Sequence, residues 1–79
     1  MSNRIYWTRQ SQEDLRQVRA FISRDAPATA SAFVRRLRES VNRLKEFPES
    51  GQVVPELGRN DIRELLRGSY RIIYRVGQD

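Results

Sequence analysis

The sequence contains no cysteine and no histidine. Without cysteine there is neither a disulfide framework nor a thiol nucleophile, and without histidine as well, zinc sites and Ser-His or Cys-His catalysis are excluded. No metal and no cofactor is expected. Long apolar runs are also missing: nothing approaches the roughly 18 residues that a membrane span needs. The opening MSNRIYWTRQ is too polar for a secretory leader. A soluble, cytoplasmic protein without a membrane partner is the expectation. Lysine is nearly absent too. Lys45 is the one lysine among 15 basic residues, so the other 14 are arginine, against 10 acids and a net charge of +5. Arginine grips carboxylate and phosphate bidentately, which points to an acidic protein or a nucleic acid; codon bias with solvated helix faces yields the same count. At 79 residues the chain makes one domain with a thin core, to whose stability a partner can contribute.

What is present reads as a short α+β order. Arg4–Thr8 (R-I-Y-W-T) is β-branched and aromatic, as strands are. Ser11 follows as an expected N-cap with Glu13 and Asp14 behind it, and Leu15, Val18 and Ile22 continue one apolar stripe to about Arg24. Asp25-Ala26-Pro27 interrupts, and Pro27 suits the first turn of a second helix reaching about Glu46. Ala30, Phe33, Val34, Leu37, Val41 and Leu44 form its apolar face, with Arg35, Arg36, Arg38 and Glu39 opposite. Phe47-Pro48 ends it. Glu49–Asp61 reads as a loop with at most a short extended piece. Ile62–Arg67 and Tyr70–Val76 are strands joined at Gly68-Ser69, glycine first as a type II′ turn requires. The predicted order is β-α-α-β-β, a helical hairpin packed on a small antiparallel sheet.

That turn opposes Arg67 to Tyr70, Leu65 to Ile72 and Arg63 to Tyr74. One face then carries Leu65, Tyr70, Ile72, Tyr74 and Val76 toward the helices. The other carries Ile62, Glu64, Leu66, Arg71, Ile73 and Arg75. Two arginines four residues apart among apolar groups need anions: either a carboxylate such as Glu64 satisfies them locally, or an acidic or phosphate-bearing partner does. Arg71, Ile73, Arg75, Glu64 and Leu66 are therefore the candidate partner-binding residues. Gly77-Gln78-Asp79 is turn chemistry directly after an apolar strand, as though another strand should follow. Tyr70–Val76 would otherwise be an unprotected edge, so the domain, residues 1–79, is expected to be incomplete at its C-terminus, or completed by another chain.

In order and spacing the residues resemble the RelE/ParE superfamily of bacterial type II toxins, and the ParE branch most. The resemblance spans nearly the whole chain: Trp7-Thr8, Asp14-Leu15, F-I-S-R-D-A-P (Phe21–Pro27), L-K-E-F-P-E-S-G (Leu44–Gly51), V-P-E-L (Val54–Leu57), I-R-E-L (Ile62–Leu65) and Y-R-I-I-Y-R-V (Tyr70–Val76). It implies a strand, a helical hairpin and a three-stranded antiparallel continuation, the last strand and tail of which lie past residue 79. The ParE-like reading implies a gyrase poison that acts by binding, with no catalytic residue, silenced by a cognate antitoxin whose C-terminal segment is typically acidic. The alternative is a RelE-like, ribosome-dependent mRNA endoribonuclease, in which Arg71 matches a catalytic arginine while the other catalytic positions fall in the tail. A truncated, inactive toxin that retains only antitoxin binding is the third reading. Direct DNA binding is not expected, since in such operons the antitoxin supplies that module.

Overall fold

The computed structural model describes residues 4–77. Helix α1 spans Arg9–Ser23 and α2 spans Pro27–Asn42, followed by a 3₁₀ turn at Arg43–Lys45. Three strands follow: β1 (Gln52–Val53), β2 (Ile62–Arg67) and β3 (Tyr70–Arg75), in the order β1-β2-β3 and antiparallel throughout. The result is an α+β fold with two helices on a three-stranded sheet, as expected in class. Two details differ from the expectation.

The first concerns the cap. The N-cap of α1 is Thr8, not Ser11. Thr8 has extended backbone (φ −69°, ψ 160°), and its Oγ1 accepts the Ser11 backbone N–H at 3.0 Å. The Ser11 hydroxyl in turn donates to the Thr8 carbonyl at 2.8 Å. Both residues are good caps; the apolar pattern did not separate them because the first turn, Arg9-Gln10, is wholly polar. The second concerns Arg4–Thr8, which forms no ladder. Ile5 and Trp7 pack against the core while Arg4 and Tyr6 face out. The period-2 alternation of a strand is present, but no neighbouring strand pairs with it. Alternation reports which side chains are covered, whereas a strand also needs a hydrogen-bonding partner.

The helical connection and the hairpin follow the sequence closely. Pro27 occupies the first turn of α2, where its missing N–H costs nothing, and Ala26 is the cap residue. Gly68 has φ +59° and no non-glycine residue has positive φ, as a II′ turn with Ser69 second demands. The register pairs Arg67 with Tyr70, Leu65 with Ile72 and Arg63 with Tyr74. Leu15, Val34, Leu37, Val41 and Leu44 form the buried cluster, with Ile5, Trp7, Phe33, Leu65, Ile72 and Tyr74 packed against it. Phe33 also meets Tyr70 at 5.6 Å between ring centroids, and the Arg38 guanidinium lies over Trp7 at 5.6 Å. The core is thin: among the described residues no large side chain falls below 2% exposure. The proposed turn at the chain end involves Gln78 and Asp79, which lie outside the described residues.

Candidate partner-binding site

β3 brings alternate side chains to opposite faces, and each face fastens one of the loops. On the inner face, the Tyr74 hydroxyl donates to the Pro48 carbonyl at 2.7 Å and accepts the Gly51 N–H at 3.0 Å. A Cβ at Gly51 would lie 2.6 Å from that hydroxyl and 2.7 Å from the Glu64 carbonyl oxygen, so only glycine permits the approach. Arg63 completes the fastening by donating to the Asn60, Glu49 and Gly51 carbonyls at 3.0, 3.2 and 2.9 Å. The F-P-E-S-G stretch is thus anchored from β2 and β3.

On the outer face Arg71 grips two carboxylates. Its Nε donates to Glu64 Oε1 at 2.8 Å and its Nη2 lies 2.7 Å from the same oxygen. Nη1 and Nη2 donate to the two oxygens of Glu56 at 2.9 and 3.3 Å. Glu64 is only 6% exposed although it belongs to the outer face, because Arg71 lies over it. The hydrogen bond from Arg71 holds the Glu56 carboxyl below the usual glutamate range, helped by a backbone hydrogen bond at Glu56 itself; the same carboxylate raises the Arg71 guanidinium further. The local carboxylate that the sequence offered for Arg71, Glu64, is in place. Glu56 belongs to the V-P-E-L stretch. It sits 15 residues away in a loop, and no periodicity connects a loop acid to a strand arginine.

The remaining candidates are distributed around this clamp. Leu66 stands opposite Arg71 and Ile73 opposite Glu64, and both are exposed. Leu57, in the turn that Glu56 fastens, is exposed as well. Arg75 faces solvent opposite Ile62 and adds a weak charge effect to Asp61. The main partner of Asp61 is Arg59, whose Nε and Nη2 donate to its two oxygens at 3.0 and 2.8 Å and lower its pKa. The outer face therefore presents exposed aliphatic groups around a clamp of one guanidinium and two carboxylates, with Arg75 at its border. Such a surface is suited to recognition, and the carboxylates nearest Arg71, Glu56 and Glu64, are both engaged by its guanidinium.

No helix among the described residues is long and apolar enough to cross a membrane. Residues 5–79 match the family model described as ParE toxin of type II toxin-antitoxin system, parDE. The chain is also similar to "Putative toxin Y4kP" of Sinorhizobium fredii, 35% identical over 79 residues that cover 96% of this chain and 78% of that protein.

Proposed function

The chain belongs to the ParE toxin family of type II toxin–antitoxin systems, and from that premise we propose that it acts by binding DNA gyrase, held silent by a cognate acidic antitoxin. A type II toxin has an antitoxin partner; gyrase as target is the proposed part. The observation that carries the reading is the state of Arg71. RNA cleavage requires a 2′-hydroxyl to be deprotonated, the phosphorane charge stabilised and the leaving oxygen protonated. The arginine that would stabilise charge already spends its donors on Glu56 and Glu64. The nearby phenol of Tyr74 is on the other face and bonded to Pro48 and Gly51. A protein that acts by complementarity needs neither group free.

Supercoiled plasmid incubated with gyrase, ATP and the toxin is expected to accumulate linear, protein-linked DNA. Cleavage of ribosome-bound mRNA, with plasmid left supercoiled, would transfer the assignment to the endoribonuclease branch. Antitoxin binding without either effect would identify an inactive toxin.

A further inference from the structure

β1 covers the facing edge of β2 for only part of its length. Even-numbered residues of β2 turn their backbone groups toward β1: the Ile62 carbonyl accepts the Val54 N–H at 3.2 Å, and Glu64 pairs with Gln52. Leu66 is next in this series and lies beyond the end of β1. Ser50, which would stand opposite it, donates its own N–H to the Phe47 carbonyl at 3.1 Å. The Leu66 carbonyl accepts from Arg67 Nη1 at 2.7 Å, and its N–H has no acceptor among the described residues.

That backbone borders a cleft of about 550 Å³ between the end of α2, the loop that follows and β2. Arg43 and Arg67 line it, and among the described residues neither has a carboxylate within 4.0 Å, unlike Arg16, Arg59 and Arg71. Arg67 is half-buried and held by neutral oxygens: its Nε donates to the Ser40 hydroxyl at 2.8 Å and its Nη1 to the Leu66 carbonyl. Ser50 adds a hydroxyl, and Phe47, 58% exposed, adds a ring. Glu64 borders the cleft as well, with its carboxylate engaged by Arg71 on the outer face.

We propose that this cleft binds a nucleoside monophosphate, free or at the 5′ end of a strand, with the phosphate among Leu66 N–H, Arg67 and Arg43 and the base on Phe47. A partly buried guanidinium without a counter-ion is costly unless a ligand supplies one. One guanidinium fork already satisfies a planar carboxylate. Here a backbone N–H, a hydroxyl and two guanidinium groups converge from different elements, which suits the three oxygens and the second charge of a phosphate monoester. The cleft is larger than a phosphate alone requires, and an exposed phenyl ring beside it offers a base a stacking face. The cleft stands apart from the gyrase and antitoxin readings, and none of the outcomes below bears on them.

The test is an NMR titration of the full chain with AMP, CMP, adenosine and inorganic phosphate. AMP and CMP are expected to shift the Leu66 amide and the Arg67 Nε resonance. Inorganic phosphate should shift the same signals at a concentration about tenfold higher or more, and adenosine should leave them in place. Arg43→Ala is expected to weaken AMP and phosphate alike by about tenfold, while Arg35→Ala, an equal loss of charge outside the cleft, changes neither. Phe47→Ala is expected to weaken AMP by about tenfold and to leave phosphate unchanged. These three side chains are exposed, so thermal melts of the variants should match the parent. A trinucleotide with a 5′-phosphate distinguishes the sources: tighter binding than AMP at the same signals identifies a strand end, weaker binding a free nucleotide, and either result keeps the site.

AMP and CMP that leave the Leu66 amide unmoved overturn the proposal. So does an Arg35→Ala loss equal to that of Arg43→Ala, which would mean diffuse attraction to a basic surface. Affinity for AMP no higher than for inorganic phosphate, with Phe47→Ala neutral, reduces the site to an anion site and removes the nucleotide. A trinucleotide that binds equally well without its 5′-phosphate overturns the monoester in favour of a phosphodiester backbone.

Discussion

Arg71 has five N–H donors in a rigid fork, and here they tie a nearly buried glutamate of β2 to an exposed one in the loop. The geometry makes the partners unequal. Removing the arginine leaves Glu64 covered by little water and without its cation, which is more damaging than losing an ion pair at the surface. Arg71→Ala is therefore expected to lower the urea midpoint clearly, and adding Glu64→Gln to recover part of the loss; a double-mutant cycle measures the coupling. Equal destabilisation by both single variants with no coupling would mean that the clamp is not formed in solution. The Glu56 end has a pH signature. Its folded pKa lies below the usual value, so the contribution is fully present above the unfolded value of about 4.3 and disappears as pH falls through the lower folded value. Glu56→Gln is expected to flatten that acid limb slightly, since the carboxylate is exposed.

Element ends were the least legible part of the sequence, and α1 shows why. Thr8 and Ser11 are both capping residues, three apart, and each takes part in the same reciprocal pair of hydrogen bonds. Which of them is the cap depends on where the polar first turn starts. Thr8→Ala is expected to cost about 1 kcal/mol of stability, Thr8→Ser far less. Ser11→Ala should cost less than Thr8→Ala, because alanine retains the backbone N–H that the Thr8 hydroxyl accepts and loses only a hydroxyl donor to the Thr8 carbonyl, which also accepts the Gln12 N–H. Thermal melts of the three variants rank them, and a larger loss at Ser11 would restore the later helix start. The hairpin was legible for the opposite reason. A two-residue loop with glycine first leaves one register, and a one-residue slip would turn Leu65, Ile72 and Tyr74 away from the helices.

For the whole molecule, the +5 charge and the nearly all-arginine cation set concern encounter more than fold. If the antitoxin segment is acidic, association should be fast at low salt and fall by about tenfold or more toward 0.5 M salt, with dissociation changing little. Stopped-flow mixing checks this, and a salt-independent association rate would assign recognition to the aliphatic surface around Leu57, Leu66 and Ile73 instead. The thin core belongs to this scale also. With no large side chain fully covered among the described residues, the chain has a stability to which a bound partner can add.

The order of helices and the β2–β3 hairpin and the apolar face of α2 were determined by sequence alone, because each depends on local periodicity or on a turn a few residues long; for Arg71 the sequence offered Glu64 beside an external anion, and the structure decided between them. Tertiary structure decided the rest. Glu56 reaches Arg71, and Gly51 reaches Tyr74, only after loops separated from β3 by 15 or more residues have docked on it. The same holds for Arg4–Thr8: its alternation was visible in the residues, but whether a strand lies beside it depends on which backbone edges the fold leaves adjacent. Hydrogen-bond partners across a groove are a property of assembly in space, and no sequence period encodes them.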